Sequence, residues 1–121
     1  MFLTNQSRLY MPRKKLIRQS EYPYHVVTRN NHRDWFQIPI FEVWDICKAA
    51  LIYARKKEPV DINCFILMSN HYHLLLTTPL LNIDKFMMHF NWRLSHLITK
   101  KTNLINHKFS NRYKWSIVDN Q

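Results

Sequence analysis

The 121-residue sequence predicts an α+β domain of order β-α-β-β-α-β, and three observations predict it. Four short segments rich in β-branched and aromatic residues alternate with the period of two that half-buried strands require. Two longer segments repeat apolar residues every three or four positions, as amphipathic helices do. Proline or asparagine stands at several of the junctions where one period gives way to the other.

The elements follow in chain order. "YPYHVVTRN", residues 22 to 30, alternates and carries Val, Tyr and Thr, so it reads as the first strand. Pro39 opens the first helix, because a first helical turn does not need the N–H that proline lacks. Ile40, Val43, Trp44, Cys47, Leu51 and Ala54 form its apolar stripe, and Arg55, Lys56 and Lys57 suit the negative end of its dipole. "VDINCFILM" after Pro59 is the second strand and "HYHLLLTT" the third. Only Ser69 and Asn70 separate them, so the two should pair as an antiparallel hairpin. Asn82 resembles an N-cap, with Asp84 in the first turn of a second helix that buries Ile83, Phe86, Met87, Phe90, Leu94 and Leu97. "RYKWSIV", residues 112 to 118, is the fourth strand. The chain has no glycine. Its turns therefore fall to Pro and Asn, with Asn30-Asn31 and Ser110-Asn111 as candidates, because Asn tolerates a left-handed backbone best among the other residues. This order describes two split βαβ units, the ferredoxin-like plan: a four-stranded antiparallel sheet with two helices on one face and the other face open.

Composition bounds the function. A hydrophobic fraction of 46% with 14% aromatics is that of a globular domain and excludes a disordered tail. No apolar run is long enough to span a bilayer, and "MFLTNQSRLYMPRKK" lacks the apolar core of a signal peptide, so no membrane partner and a cytoplasmic location are expected. Cys47 and Cys64 sit in apolar contexts without metal-ligand spacing and read as buried thiols. A formal charge of +10 points to a polyanion, and nucleic acid is the natural one. Residues 1 to 20, with Arg8, Arg13, Lys14, Lys15 and Arg18, form a basic arm of little periodicity, and residues 21 to 121 form the domain.

Chemistry concentrates in "FILMSNHYHLLLTTP". Residues two apart on a strand point the same way, so His71, His73, Leu75 and Thr77 share one face and Tyr72, Leu74 and Leu76 the other. The second set is the more apolar and should meet the helices, which leaves both imidazoles on the open face, where neutral ring nitrogens can share one cation. Spacing alone leaves this open, since most His-x-His pairs are structural or merely exposed.

"FILMSNHYHLLL" resembles the His-hydrophobic-His (HUH) segment of single-tyrosine transposases, specifically the REP-associated tyrosine transposases and their insertion-sequence relatives. "MPRKK", "YPYHVVTRNN", "VWDI" and "INHKFSNRYKWSIV" resemble further landmarks of that family in the same order, over nearly the whole chain. The resemblance implies a protein that binds single-stranded or hairpin DNA. It also implies that such a protein, when complete, cuts and rejoins that DNA through a 5′-phosphotyrosine intermediate. Carried over by position, His71 and His73 become ligands of Mg²⁺ or Mn²⁺ and Tyr72 the filler between them. The family's nucleophilic tyrosine sits on a helix after the fourth strand, and by that register it falls beyond Gln121, so the C-terminal helix is expected to be missing. Tyr113 is the substitute nearest the sheet, although a strand aromatic in the core or stacked on a base is its plainer role. Arg13, Lys14, Lys15, Arg18, Arg29, Arg112 and Lys114 are the candidate phosphate contacts. Relatives include monomers and homodimers. Two other readings compete: a non-catalytic nucleic-acid-binding module on a ferredoxin-like sheet, and a zinc hydrolase, which would need a third ligand for which only His25 is at hand.

Overall fold

Alternation along the two most regular strand segments decides which way the sheet faces. In the computed structural model, which describes residues 15–29, 38–102 and 113–119, β1 spans Tyr24–Arg29 and β3 spans His71–Thr77. Tyr24, Val26 and Thr28 on β1 are buried, as are Tyr72, Leu74 and Leu76 on β3, while the residues between them are not. The remaining elements are α1 (Ile40–Lys57), β2 (Asp61–Leu67), α2 (Ile83–Thr102) and β4 (Lys114–Ile117), so the predicted order is the observed one. All three strand pairings are antiparallel and the sheet order is β2-β3-β1-β4, with β1 and β3 in the middle. This is the ferredoxin-like plan. No described helix is long and apolar enough to cross a membrane.

The helices supply the other half of the core. From α1 come the small side chains Val43, Cys47, Ala50 and Ala54; from α2 come Ile83, Phe86, Met87, Phe90, Leu94 and Ile98. Two helix faces differ from the sequence reading. Ile40 and Trp44 are 51% and 40% exposed, and Ala50, too small to mark a stripe by its hydrophobicity, takes a core position instead. On α2 the buried row runs Phe86, Phe90, Leu94, Ile98 in steps of four, which leaves Leu97 only half-buried. Asn82 does stand just before α2, and its carbonyl accepts from the Phe86 N–H at 3.0 Å. Its side-chain Nδ2, however, donates to Glu58 Oε1 (3.0 Å) and the Pro59 carbonyl (3.2 Å), so it ties the end of α1 to the start of α2.

The hairpin of β2 and β3 closes around Ser69 and Asn70, where the Met68 N–H donates to the His71 carbonyl at 2.8 Å. Its register slips once: Ile62 faces Leu76 but Cys64 faces Leu75, making Asn63 the extra residue of a bulge. The slip lets Ile62, Phe65 and Leu67 all pack toward the core, and it turns Cys64 to the open face. The expectation of two buried thiols is therefore corrected. Cys47 is buried and its thiol is pushed up to about 12 by that burial, whereas Cys64 is exposed.

Before β1 the chain is fastened down. Leu16 packs against the core, the Gln19 side chain accepts from the Glu21 and Tyr22 N–H groups, and Thr78 Oγ1 donates to the Gln19 carbonyl. After β3, Leu81 adopts φ 58°, the one left-handed residue among those described. The asparagine pairs expected at turns, Asn30-Asn31 and Ser110-Asn111, lie outside the described residues.

Candidate functional site

Because β3 is hydrogen-bonded on both sides, the residues it projects are held on one of the two central strands of the sheet. His71 and His73 both project to the open face, with ring centroids 5.1 Å apart and planes at 71°. Tyr72 between them points the other way. It is fully buried, its hydroxyl donates to Asn91 Oδ1 at 2.7 Å, and burial pushes its phenol far above the ordinary tyrosine range.

Register shows what surrounds the pair. Arg29 lies opposite His71, and Ile66, His73, Val27 and Lys114 form one row across the four strands. The next row is Cys64, Leu75, His25 and Ser116. Between these rows a shallow, mainly apolar cleft of about 290 Å³ is lined by His25, Cys64, Ile66, His73 and Leu75. His25 reaches diagonally from β1 so that its Nε2 lies 2.9 Å from His73 Nδ1, the rings nearly parallel at 7°.

The environment favours neutral imidazole at His71. Partial desolvation on the sheet, then the neighbouring His73 and Arg29, lower its pKa below the ordinary histidine value. Its Nδ1 lies 2.9 Å from Asn70 Oδ1. An amide oxygen can only accept, so this contact calls for the proton on Nδ1 and leaves the lone pair on Nε2, where a metal ion can bind. The donor set thus fits a divalent cation. Among the described residues no three His, Cys, Asp or Glu side chains are placed to hold one metal ion together, so the pair would need other oxygen or nitrogen donors to complete a shell.

The other sequence candidates distribute unevenly. Arg29 and Lys114 are exposed on the histidine face. Lys15 is exposed before β1, and Arg18 is ion-paired with Asp84 at 2.7 Å, near the end of β3 remote from His71. Arg13, Lys14 and Arg112 lie outside the described residues. Tyr113 and Trp115 pack against the core on the helix side, Trp115 meeting Tyr24 edge-on with centroids 6.0 Å apart. Sequence reasoning missed two features. Asn70 was visible only as a turn residue, although an acceptor directly preceding His-x-His was there to be read. The cleft had no sequence signal, because it forms where side chains of three different strands meet, and only strand pairing brings those together.

Solved structures share this architecture. A REP-associated tyrosine transposase bound to a REP hairpin matches with a TM-score of 0.72 at 14% identity, over 92% of this chain and 64% of that one. A protein assigned as a transposase from Deinococcus radiodurans R1 matches with a TM-score of 0.63 at 17% identity, over 91% of this chain and 86% of that one. At such identities the likeness is one of fold, and the chain spans 64% of the length of the first relative. No curated protein matches the sequence. The family model described as "Transposase IS200 like" matches residues 18–121, nearly the whole domain, and the chain belongs to that transposase family.

Proposed function

We propose that the open face binds single-stranded or hairpin DNA and that His71 and His73 hold a Mg²⁺ or Mn²⁺ ion against one phosphate of it. The observation that carries this reading is the pair itself: two imidazoles 5.1 Å apart on a central strand, one already in the ligand tautomer, with Arg29 beside them. When bound, the ion supplies Lewis-acid polarisation of the scissile phosphate. The chain's own residues do the rest of the binding. Arg29 offers a forked donor to a neighbouring phosphate, and Lys114, in the same row as His73 and two strand spacings (about 10 Å) from it, offers a second charge. Together they set the strand's direction over the sheet without reading its sequence.

The transposase reading adds strand cleavage and rejoining. A tyrosine oxygen displaces the 3′ oxygen, leaving a 5′-phosphotyrosine and a free 3′-hydroxyl, and the reverse attack reseals the strand. Tyr24, Tyr72 and Tyr113 all pack on the core side, so none of them is poised for that attack. We therefore propose that these tyrosines bind no phosphate covalently and that the described residues bind DNA without supplying the nucleophile. The alternative of a base-stacking module draws little support, because the described strand residues of the open face include no Phe, Tyr or Trp.

Mn²⁺ titration followed by electron paramagnetic resonance tests the metal site. Binding should be saturable in the wild type and weakened at least tenfold by His71→Ala and by His73→Ala, with DNA affinity in EDTA little changed. Equal Mn²⁺ affinity in all three proteins would exclude the site. Incubation with Mn²⁺ and labelled hairpin DNA should give a retarded complex but no SDS-resistant adduct, and an adduct would refute the assignment of the tyrosines.

A further inference from the structure

We infer that His25 is a positioning residue for His73: its Nε2 accepts a hydrogen bond from the Nδ1–H of His73 and so holds that imidazole in the tautomer whose Nε2 can bind a cation. The inference rests on the metal reading of the histidine pair and goes beyond it, since it gives a role to a side chain on a different strand.

Geometry and chemistry lead there together. His25 Nε2 and His73 Nδ1 are 2.9 Å apart, a hydrogen-bonding distance, and the two rings lie within 7° of parallel. Between two neutral imidazoles this contact can be made in two ways. If His25 donates from Nε2, His73 keeps its proton on Nε2 and has no lone pair to offer there. If His73 donates from Nδ1, its Nε2 is free as a ligand and His25 carries its own proton on Nδ1. Only the second arrangement matches His71, whose Nδ1 must donate because Asn70 Oδ1 is an acceptor alone. The two imidazoles are thus set for one task by different means: Asn70, the residue before His71, orients it, and His25 orients His73 from the neighbouring strand.

The surroundings strengthen the bond. Cys64, Ile66 and Leu75 line the cleft that His25 and His73 share, so the part-buried N···N contact has apolar neighbours. Both histidines stand on the two central strands, and β1 is fixed on its other side by β4, where Ser116 is opposite His25. Both rings therefore stand on backbone that is paired on each side. A hydrogen-bonded partner of this kind typically contributes a factor of about 10 to 100 in metal affinity.

Two variants separate the acceptor from the ring. His25→Phe keeps an aromatic side chain but offers no acceptor; His25→Gln places an amide oxygen near the Nε2 position. Long-range ¹⁵N–¹H spectra of metal-free wild type should show His73 protonated on Nδ1, and His25→Gln should preserve this while His25→Phe abolishes the preference. Mn²⁺ affinity should fall about 10- to 100-fold in His25→Phe and stay within about threefold of wild type in His25→Gln. A wild-type His73 protonated on Nε2 overturns the inference without any variant. So does a folded His25→Phe, judged by circular dichroism, that binds Mn²⁺ as wild type does while His71→Ala does not; the metal site then stands and only the role of His25 falls. A wild type that binds no Mn²⁺ overturns the metal reading and the positioning role with it.

Discussion

A neutral imidazole has one lone pair to give, and at His71 the residue before it in the sequence decides where that lone pair lies. Asn70 closes the hairpin turn and also receives the Nδ1 proton, so one side chain serves the turn and the site. The same economy is absent at Leu81. A glycine-free chain has to enter left-handed backbone with a residue that carries a Cβ, and here it is a leucine at φ 58° whose side chain is nearly half exposed. That conformation costs a non-glycine residue about 1 to 2 kcal/mol, partly offset because glycine loses more entropy on folding. Leu81→Gly should therefore stabilise the domain by about 0.5 to 1 kcal/mol, read as a higher urea midpoint with unchanged slope. A lower midpoint would mean that the turn strains nothing.

At the level of elements, a single inserted residue has the widest effect. Without the bulge at Asn63, strict alternation would send Ile62, Cys64 and Ile66 to one face of β2 and Phe65 and Leu67 to the other. With it, Ile62 joins Phe65 and Leu67 in the core while Cys64 and Ile66 keep to the open face beside His73. The phase of α2 is a comparable matter. Leu97 and Ile98 are equally apolar, and only packing separates them: Ile98 is fully buried and Leu97 half-buried. Ile98→Ala should cost about 2 to 5 kcal/mol and Leu97→Ala less than half as much, measured by denaturant unfolding of each variant. Equal losses would show that the last turns of α2 are not locked in the observed phase.

For the whole molecule the formal charge of +10 matters less than where it is presented. Arg29 and Lys114 lie on the histidine face, while Arg18 is neutralised by Asp84. Affinity for single-stranded DNA should fall with salt, and Arg29→Ala and Lys114→Ala should each flatten the logarithmic slope by about 0.7, the value for one lost phosphate contact. Arg18→Ala should flatten it less. Fluorescence anisotropy across a salt series measures all three, and slopes untouched by Arg29→Ala and Lys114→Ala would place the DNA elsewhere.

Sequence by itself determined the order of elements, the face on which each residue of β3 falls, and the candidacy of His71 and His73. These are local properties: period two, period three to four, and a spacing of two residues on one strand. Tertiary structure alone decided the register of β1 against β3, which sets His25 Nε2 2.9 Å from His73 Nδ1 and Arg29 opposite His71, from more than forty residues away. It alone decided the bulge that exposes Cys64 and the choice of Ile98 over Leu97. Neither could be read in advance, because pairing partners and helix phase are set by the collective packing of distant side chains, and no single segment carries that information.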